Sequence, residues 1–236
     1  MKLKSIVLSV LMLSVLVSKS QEGWRIGPTA SFLSSRCYVI DSIKSQFNLR
    51  FKSGFSAGFA VQYGFNKKMT IASGINFVNK GYRFFNDSNQ NGDLLKHNFN
   101  NIEIPINFIS KLGFRSNSKI RALIGVSVNY AMNKTENLLS NKNNTFTIRE
   151  VSQSKIYPML NLGLEIANVN VAGNAFIFSA IYRQSFTNSV DLEIRNTNNL
   201  NSPKLFSMGY RGSYLGVSIS YLFNTKNFKR EDVFYY

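Results

Sequence analysis

The chain has 236 residues, with 28 Lys plus Arg, 12 Asp plus Glu, one His and one Cys. This length suits one all-β domain. A single Cys excludes a disulfide framework and a Cys-type zinc or iron–sulfur site, and a single His excludes a His-rich metal cage. We therefore expect neither a metal nor another cofactor.

The net charge of +16 arises from a scarcity of acids, since only 17% of the residues are charged. Such an excess indicates an anionic partner, which could be a nucleic acid or an anionic membrane surface. Charge alone does not choose between these two classes of partner.

The amino terminus favours the membrane. Residues 1–20 place Lys2 and Lys4 before an apolar run from Ile6 to Val17, and the small residues Ser18 and Ser20 follow. This arrangement is typical of a cleaved secretory signal peptide. The run is shorter than the roughly 17 to 25 residues that span a bilayer, which argues against the alternative of an amino-terminal anchor. Export disfavours a nucleic-acid role.

Alternation of apolar with small or polar residues dominates the rest of the chain. In Gly54–Phe65, for example, the odd positions are apolar and the even positions are small or polar. A period of two indicates a strand with two different faces. At Val78 the apolar set changes phase, which indicates a bulge. Eight strands are predicted, at residues 24–34, 54–65, 69–84, 101–108, 120–130, 156–166, 175–186 and 214–223.

Short and long connections alternate strictly between these strands. The short ones lie near residues 66–68, 113–118 and 167–173, and the long, Asn-rich ones at 35–52, 86–98, 133–154 and 188–211. This pattern predicts an all-β fold, an eight-stranded antiparallel up-and-down transmembrane β-barrel in the outer membrane, with turns on the periplasmic side and long loops outside. An even number of strands closes the sheet and leaves no unpaired edge in lipid.

The alternative is a soluble lipocalin-like ligand-binding barrel, which also alternates. Here the non-apolar face is mostly Gly, Ser, Ala and Asn. That face suits the crowded lumen of a small barrel better than a surface in water. Aromatic residues near the strand ends are expected to form interfacial girdles: Trp24, Phe55, Tyr63, Phe65, Phe77, Phe84, Phe108, Tyr130, Phe176, Tyr214, Tyr221 and Phe223.

The segment NIEIPINF at Asn101–Phe108 resembles the strand signature of the small outer-membrane β-barrel family of Bacteroidota, which includes PorT-like proteins. The resemblance covers most of residues 21–224 and implies outer-membrane location, with no assigned reaction for most members. We expect a signal peptide at 1–20, a barrel at 21–224 and a carboxy-terminal tail at 225–236. The tail departs from the family pattern, since it runs past the usual closing strand.

Charges of both signs lie on the predicted lumen face: Arg25, Glu103, Lys111, Arg121, Glu165 and Arg183. Ionisable groups inside membrane proteins are costly and usually pair. We therefore expect an internal ion-pair network of Arg25, Glu103, Arg121, Glu165 and Arg183 that fills the lumen. A narrow channel is the competing use of the same lumen, whereas wide pores need about 16 to 18 strands.

Catalysis is not expected. The only His is His97, and Ser88 and Asp93 are near it in sequence, but no nucleophile motif accompanies them. The chain is therefore not predicted to be an enzyme.

The loops carry most of the basic excess. Because bases near phosphate-bearing lipid gain favourable electrostatics, we expect lipopolysaccharide contact at Lys44, Arg50, Lys96, Lys142 and Arg149. A solvated cationic surface is the alternative. Further expected partners are outer-membrane lipid, the barrel-assembly machinery and a protein that the sequence does not identify. The predicted role is structural or binding through long extracellular loops, without a wide pore, and the alternative is a part in a protein secretion apparatus.

Overall fold

The computed structural model describes residues 23–35, 38–39, 47–66, 68–86, 93–112, 119–132, 139–140, 147–195 and 204–225. The predicted signal peptide and nearly all of the predicted tail lie outside these residues. Among the described residues, no helix has the length and apolar character needed to cross a membrane.

Fourteen β-strands form in the described part of the chain. Eight of them build a barrel: β1 (Trp24–Ser35), β4 (Lys52–Gly64), β5 (Met69–Asn86), β6 (Asp93–Lys111), β7 (Ile120–Ala131), β10 (Ile156–Val169), β11 (Ala175–Ser185) and β14 (Tyr214–Asn224). The other six are shorter: β2 (Tyr38–Val39), β3 (Phe47–Arg50), β8 (Leu139–Ser140), β9 (Thr147–Gln153), β12 (Val190–Arg195) and β13 (Lys204–Tyr210).

The barrel is closed and antiparallel throughout. Its strands follow one another in the order β1, β4, β5, β6, β7, β10, β11 and β14, and β14 pairs back with β1. Chain order is therefore ring order, as the predicted up-and-down topology requires. The expected eight-stranded antiparallel barrel is confirmed.

The two faces of every barrel strand differ as the alternation predicts. Large apolar side chains point outward and are about half exposed, as at Phe59, Ile75, Ile106 and Leu164. Small and polar side chains point inward and are buried, as at Ser56. Because a soluble barrel would bury its large apolar face inside, this arrangement matches a barrel whose outer surface meets lipid.

The predicted long loops contain more strand than expected. The hairpin of β5 and β6 continues through residues 86 and 93–98, where the sequence predicts a loop. Strands β2, β13, β12, β9 and β8 form a second, five-stranded sheet at the same end, and β3 pairs with the upper part of β5. These strands continue beyond the apolar surface of the barrel. They are called the extracellular extension below, because the sequence predicts that the long-loop end lies outside the cell.

The bulge predicted at Val78 is wrong. The pairing of β5 with β4 and β6 keeps one register through Val78, and the shift between β5 and β6 comes later, at Phe84/Phe85. Even-numbered residues of β5 point inward from Thr70 to Tyr82. The apolar residues Val78 and Tyr82 are therefore lumen residues, both with no exposed surface, and the change of phase marks an apolar upper lumen.

Aromatic side chains cluster at the short-turn end of the barrel. Trp24 and Phe65 both pack against Tyr63, with ring centroids 4.8 and 5.1 Å from that of Tyr63, and Tyr221 packs edge-on against Phe223 at 4.9 Å. The arrangement fits an interfacial girdle. Tyr214 does not belong to a girdle, since it lies inside the barrel and is 2% exposed.

The turn between β10 and β11 is hydrogen-bonded to both β1 and β14 at the short-turn end. Gly173 has a φ of 83°, a left-handed conformation that favours glycine. Its carbonyl accepts a hydrogen bond of 2.8 Å from Nε of Arg25 on β1, and the amide of Asn224 at the end of β14 donates to Asn174 at 2.9 Å. The first and last barrel strands are therefore fixed to the same turn.

Candidate functional site

The candidate site is the lumen, which the inward faces of all eight barrel strands line. It has three levels along the barrel axis. Two apolar clusters lie towards the short-turn end, around Ile109 with Leu123 and around Ile177 with Leu222. Polar side chains occupy the middle, and a third apolar cluster closes the upper level: Leu33, Val78, Tyr157, Met159 and Tyr214.

An ionic cluster crosses the lumen in its upper half. Glu103 on β6 forms an ion pair with Arg183 on β11 and accepts a hydrogen bond of 2.7 Å from the hydroxyl of Tyr214 on β14. Arg183 in turn donates to the Tyr214 hydroxyl. Glu103 has no exposed surface and Arg183 is 7% exposed. Removal of either charge would leave the other buried without its ionic partner, which is strongly destabilising.

A buried lysine joins this cluster from β5. Nζ of Lys80 donates a hydrogen bond of 2.9 Å to the carbonyl of Gly212, in the segment before β14. The same nitrogen lies 4.7 Å from the ring centroid of Tyr214 and 5.3 Å from that of Tyr157, distances at which aromatic faces attract a cation. Lys80 thereby connects β5 to the segment before β14 across the upper lumen.

A second ion pair lies nearer the short turns. Arg121 on β7 and Glu165 on β10 are directly opposed cross-strand residues, with Nη2 and Oε1 2.6 Å apart. Both side chains are buried. This pair lies along one wall, whereas the Glu103–Arg183 pair crosses the barrel.

Amide and hydroxyl groups link β6, β7 and β10, on the side of the lumen that holds the Arg121–Glu165 pair. Nδ2 of Asn161 donates to Oδ1 of Asn107 at 2.8 Å, and the Ser127 hydroxyl donates to Oδ1 of Asn161 at 3.2 Å. Above them, the Tyr157 hydroxyl donates to Oδ1 of Asn101 at 3.1 Å. Buried polar groups that find partners in this way stiffen the lumen wall.

A small cavity lies between the two ion pairs. Its volume is about 70 Å³, which is room for about two water molecules. Glu165, Arg183 and Tyr214 border it, and small hydroxyl-bearing residues of β1, β11 and β14 form much of its wall: Thr29, Ser31, Ser179, Ser218 and Ser220. The space exists because these side chains are short, and it can hold water or a very small polar solute.

The structure brings together four of the five residues predicted to form the lumen network. Glu103 pairs with Arg183 and Arg121 pairs with Glu165, so these four form two separate pairs. Arg25 is half-buried at the short-turn end, where its described hydrogen bond goes to the backbone of Gly173. The sixth charge expected on this face, Lys111, is also half-buried.

Two residues of the upper cluster were missed or misplaced by sequence reasoning. Lys80 was missed because the supposed bulge at Val78 obscured which face the following residues occupy. Tyr214 was assigned to a girdle, although it shares its phase with Gly216, Ser218 and Ser220 on the polar face of β14. Strict period-two counting would have placed both residues in the lumen.

The residues considered for catalysis do not form a described site. His97 lies in β6 opposite Tyr82, and Asp93 lies opposite Phe85 in the same hairpin. Ser88 lies outside the described residues. Within the described part of the chain, no group of three or more His, Cys, Asp or Glu residues could hold a metal ion.

The bases predicted to contact lipopolysaccharide fall at different places. Arg50 lies in β3, Lys96 in β6 and Arg149 in β9. Lys44 and Lys142 lie outside the described residues.

Solved structures with related folds include the outer membrane protein OprG from Pseudomonas aeruginosa, with a TM-score of 0.52, 14% identity, and coverage of 87% of this chain and 98% of that chain. The outer membrane protein AlkL follows with a TM-score of 0.46, 11% identity, and coverage of 87% and 92%. The outer membrane protease OmpT from Escherichia coli is more distant, with a TM-score of 0.32, 8% identity, and coverage of 84% and 94%. At these identities the likeness to OprG shows the same fold.

Comparison with curated protein sequences gives no significant match. The family described as "Outer membrane protein beta-barrel domain", by contrast, matches residues 18–191. That range includes seven of the eight barrel strands. The closed barrel, its outward apolar face and this match over more than half of its length establish that the chain belongs to the outer membrane protein beta-barrel domain family.

Proposed function

We propose that this outer-membrane barrel has a non-catalytic, structural or binding role, which it performs through its extracellular extension and long loops. In this proposal the lumen is closed and carries no wide pore. The observation that supports it most directly is the contact of Glu103 with Tyr214 and Arg183 across the barrel.

The filling of the lumen supports closure. An eight-stranded barrel has an interior just wide enough for side chains to fill. Here Tyr157, Met159 and Tyr214 pack together at the upper level, where Lys80 spans from β5 to the segment before β14. The cavity below them has room for only about two water molecules. A hydrated path through these levels would require the cross-barrel contacts to break.

The extracellular extension supports the binding role. Its strands pair over several residues, including six positions between β12 and β13 and six between β12 and β9. These paired strands form a regular scaffold at the long-loop end of the barrel. Loops positioned by a rigid scaffold are the usual place for binding residues.

Conductance measurements test the closed lumen. The purified protein, refolded and inserted into planar bilayers, is expected to give no steady conductance. The double variant Lys80→Ala/Glu103→Ala should give measurable openings, because it removes two side chains that make contacts across the lumen. Variant Asn168→Ala, which changes an exposed residue near the short turns, serves as the control. A steady conductance of the unaltered protein, equal in all three proteins, would contradict the proposal and favour a narrow channel.

The route to the membrane is also part of the proposal. We infer that residues 1–20 direct export and are then removed, because they combine basic, apolar and small-residue segments in the order of a signal peptide. Mass measurement of the protein from an outer-membrane fraction should give a chain that begins at Gln21. Retention of Met1 would contradict cleavage.

We also propose a closer relationship to the PorT-like proteins of Bacteroidota, because the NIEIPINF segment and other strands resemble the sequences of that family. The part in a protein secretion apparatus that this relationship implies stays a prediction. Deletion of the gene should then block export of other proteins, whereas a purely structural or binding role predicts normal export.

A further inference from the structure

Hydroxyl groups form one polar wall of the lumen cavity that lies between the two ion pairs. The hydroxyl oxygens of Ser179 on β11 and Ser218 on β14 lie 2.8 Å apart, and the Ser220 hydroxyl donates to that of Thr29 on β1 at 2.8 Å. Because a hydroxyl has one donor and two lone pairs, each of these oxygens can accept a further hydrogen bond. This wall therefore offers acceptors to a molecule in the cavity.

Two amide side chains contribute to a second polar wall. Gln62 on β4 and Asn76 on β5 both border the cavity from the inner face of the barrel, and they are 5% and 7% exposed. Within the described part of the chain, neither Oε1 of Gln62 nor Oδ1 of Asn76 accepts a hydrogen bond. Burial of a polar atom without a partner is unfavourable. Both oxygens therefore need a donor from a molecule in the cavity.

The two amides lie at different heights along the barrel. Gln62 is opposed by Ala72 on β5, and Asn76 lies four residues farther along the same strand, which is about 13 Å. The two oxygens belong to different levels of the cavity, and each requires its own donor. The volume of about 70 Å³ has room for about two water molecules, which matches two separate donors.

The surroundings of Asn76 favour a molecule with two donors. Asn76 is directly opposed by Glu103 on β6, and both side chains are buried on the inner face. Directly opposed residues have Cβ atoms about 4.5 to 5.5 Å apart, so the amide oxygen and the carboxylate are neighbours. A water molecule can donate to both of them because it has two hydrogens.

The charges around the cavity favour a neutral occupant. Among the buried side chains of the described lumen, cations outnumber carboxylates, with Lys80, Arg121 and Arg183 against Glu103 and Glu165. This balance disfavours a metal cation. An anion is disfavoured by the two amide oxygens, which carry partial negative charge. Water meets both conditions, since it donates to the oxygens, accepts from the hydroxyls and carries no net charge.

We propose that the cavity is a binding site for two water molecules, an upper one that bridges Asn76 to Glu103 and a lower one held by Gln62. The Glu103 carboxylate is then bound by Arg183, by Tyr214 and by water. The water thereby extends the upper ionic cluster to the wall formed by β4 and β5. The site follows from the lumen geometry and does not depend on the role of the extracellular extension.

A crystal structure of the purified, refolded barrel, at a resolution that shows ordered water, tests the site. We expect two water molecules in the cavity, one at about 2.7 to 3.2 Å from Oδ1 of Asn76 and one at the same distance from Oε1 of Gln62. Crystals soaked in rubidium bromide distinguish water from ions, because both ions give anomalous signals. An anomalous peak of either ion in the cavity, or a cavity without electron density, would overturn the proposal.

Two variants serve as controls for each other. Asn76→Leu and Gln62→Met each replace an amide by an apolar side chain of similar size. The structure of Asn76→Leu should lose the upper water and keep the lower one, and that of Gln62→Met should do the reverse. If both waters remain in both variants, the amide oxygens do not hold them and the proposal is wrong.

A second measurement needs no variant and therefore stands if a variant fails to fold. In lipid nanodiscs, nuclear magnetic resonance detects transfer of magnetisation from bound water to nearby side-chain amide protons. We expect transfer at Gln62 and Asn76 and none at Asn161, a buried amide whose Nδ2 donates to Asn107. Equal transfer at all three amides, or transfer at none, would contradict the proposal. Enclosed water carries no current, so this proposal and the closed lumen fail separately.

Discussion

Tyr214 and Glu103 join opposite walls of the barrel. The Tyr214 hydroxyl on β14 donates a hydrogen bond of 2.7 Å to Oε2 of Glu103 on β6. These two strands are four places apart in the ring of eight. The two side chains together therefore span the full width of the lumen. Arg183, from the neighbour of β14, completes the cluster by pairing with the same carboxylate.

Loss of the Glu103 carboxylate should destabilise the barrel. Glu103→Ala leaves Arg183 buried without its ionic partner, at a cost of about 3 to 5 kcal/mol. Tyr214→Phe removes only the hydroxyl and should cost about 1 kcal/mol. The measurement is the temperature at which the protein loses its folded mobility on detergent gels. An unchanged transition in Glu103→Ala would show that the cluster does not stabilise the fold.

The shape of Lys80 should matter more than its charge. Lys80→Met keeps a long side chain in the aromatic surroundings and removes a buried charge, a change that is often neutral or stabilising. Lys80→Ala leaves a cavity and should cost about 2 to 4 kcal/mol. Both variants are compared with the unaltered protein by denaturant titration in lipid vesicles. If Lys80→Met loses as much stability as Lys80→Ala, the hydrogen bond to Gly212 and the cation–aromatic contacts carry the stabilisation.

Gly58 should not tolerate a side chain. A Cβ at this position would overlap the carbonyl oxygen of Ile75 on the adjacent strand, and it would also come within 2.6 Å of Oδ1 of Asn76. Gly58→Val should therefore reduce the fraction that reaches the folded, heat-modifiable form. The neighbouring Ala57 faces outward and is exposed, so Ala57→Val is the matched control and should fold normally. Equal yields from the two variants would contradict the close approach of β4 and β5.

A charge on the apolar outer surface should be costly only if lipid covers that surface. Ile106 is 56% exposed on the outer face of β6. Ile106→Arg should lower the free energy of unfolding in vesicles by about 2 to 4 kcal/mol, as arginine does near the middle of a bilayer. Val171 lies fully exposed in the turn between β10 and β11, so Val171→Arg should change little. Similar effects of the two substitutions would argue against lipid contact at Ile106.

Some of the candidate site could be found from sequence because its strands alternate without interruption. In Asn101–Phe108 the apolar residues face outward, so Glu103 between Ile102 and Ile104 had to face inward. The same counting placed Arg121, Glu165 and Arg183 on the inner face, and all three are buried there. For these residues the local period of two is sufficient information.

Other features were not predictable from local pattern. The phase change at Val78 resembled a bulge because apolar residues enter the lumen at that level, and the sequence does not show where a lumen becomes apolar. Likewise the Asn-rich segments were assigned to loops, since polar composition does not report whether a segment has a pairing partner. The register of the long hairpin of β5 and β6 settles both points.

The sequence by itself determined the class of fold, the number of barrel strands and the face on which each residue of a regular strand lies. These follow from a period of two, which is a property of single strands and of their immediate neighbours. Only the tertiary structure decided which charges meet. The pairing of Glu103 with Arg183 and the hydrogen bond from Lys80 to Gly212 both depend on ring closure and inter-strand register. Register is fixed by contacts between residues distant in the chain, and no single segment contains that information.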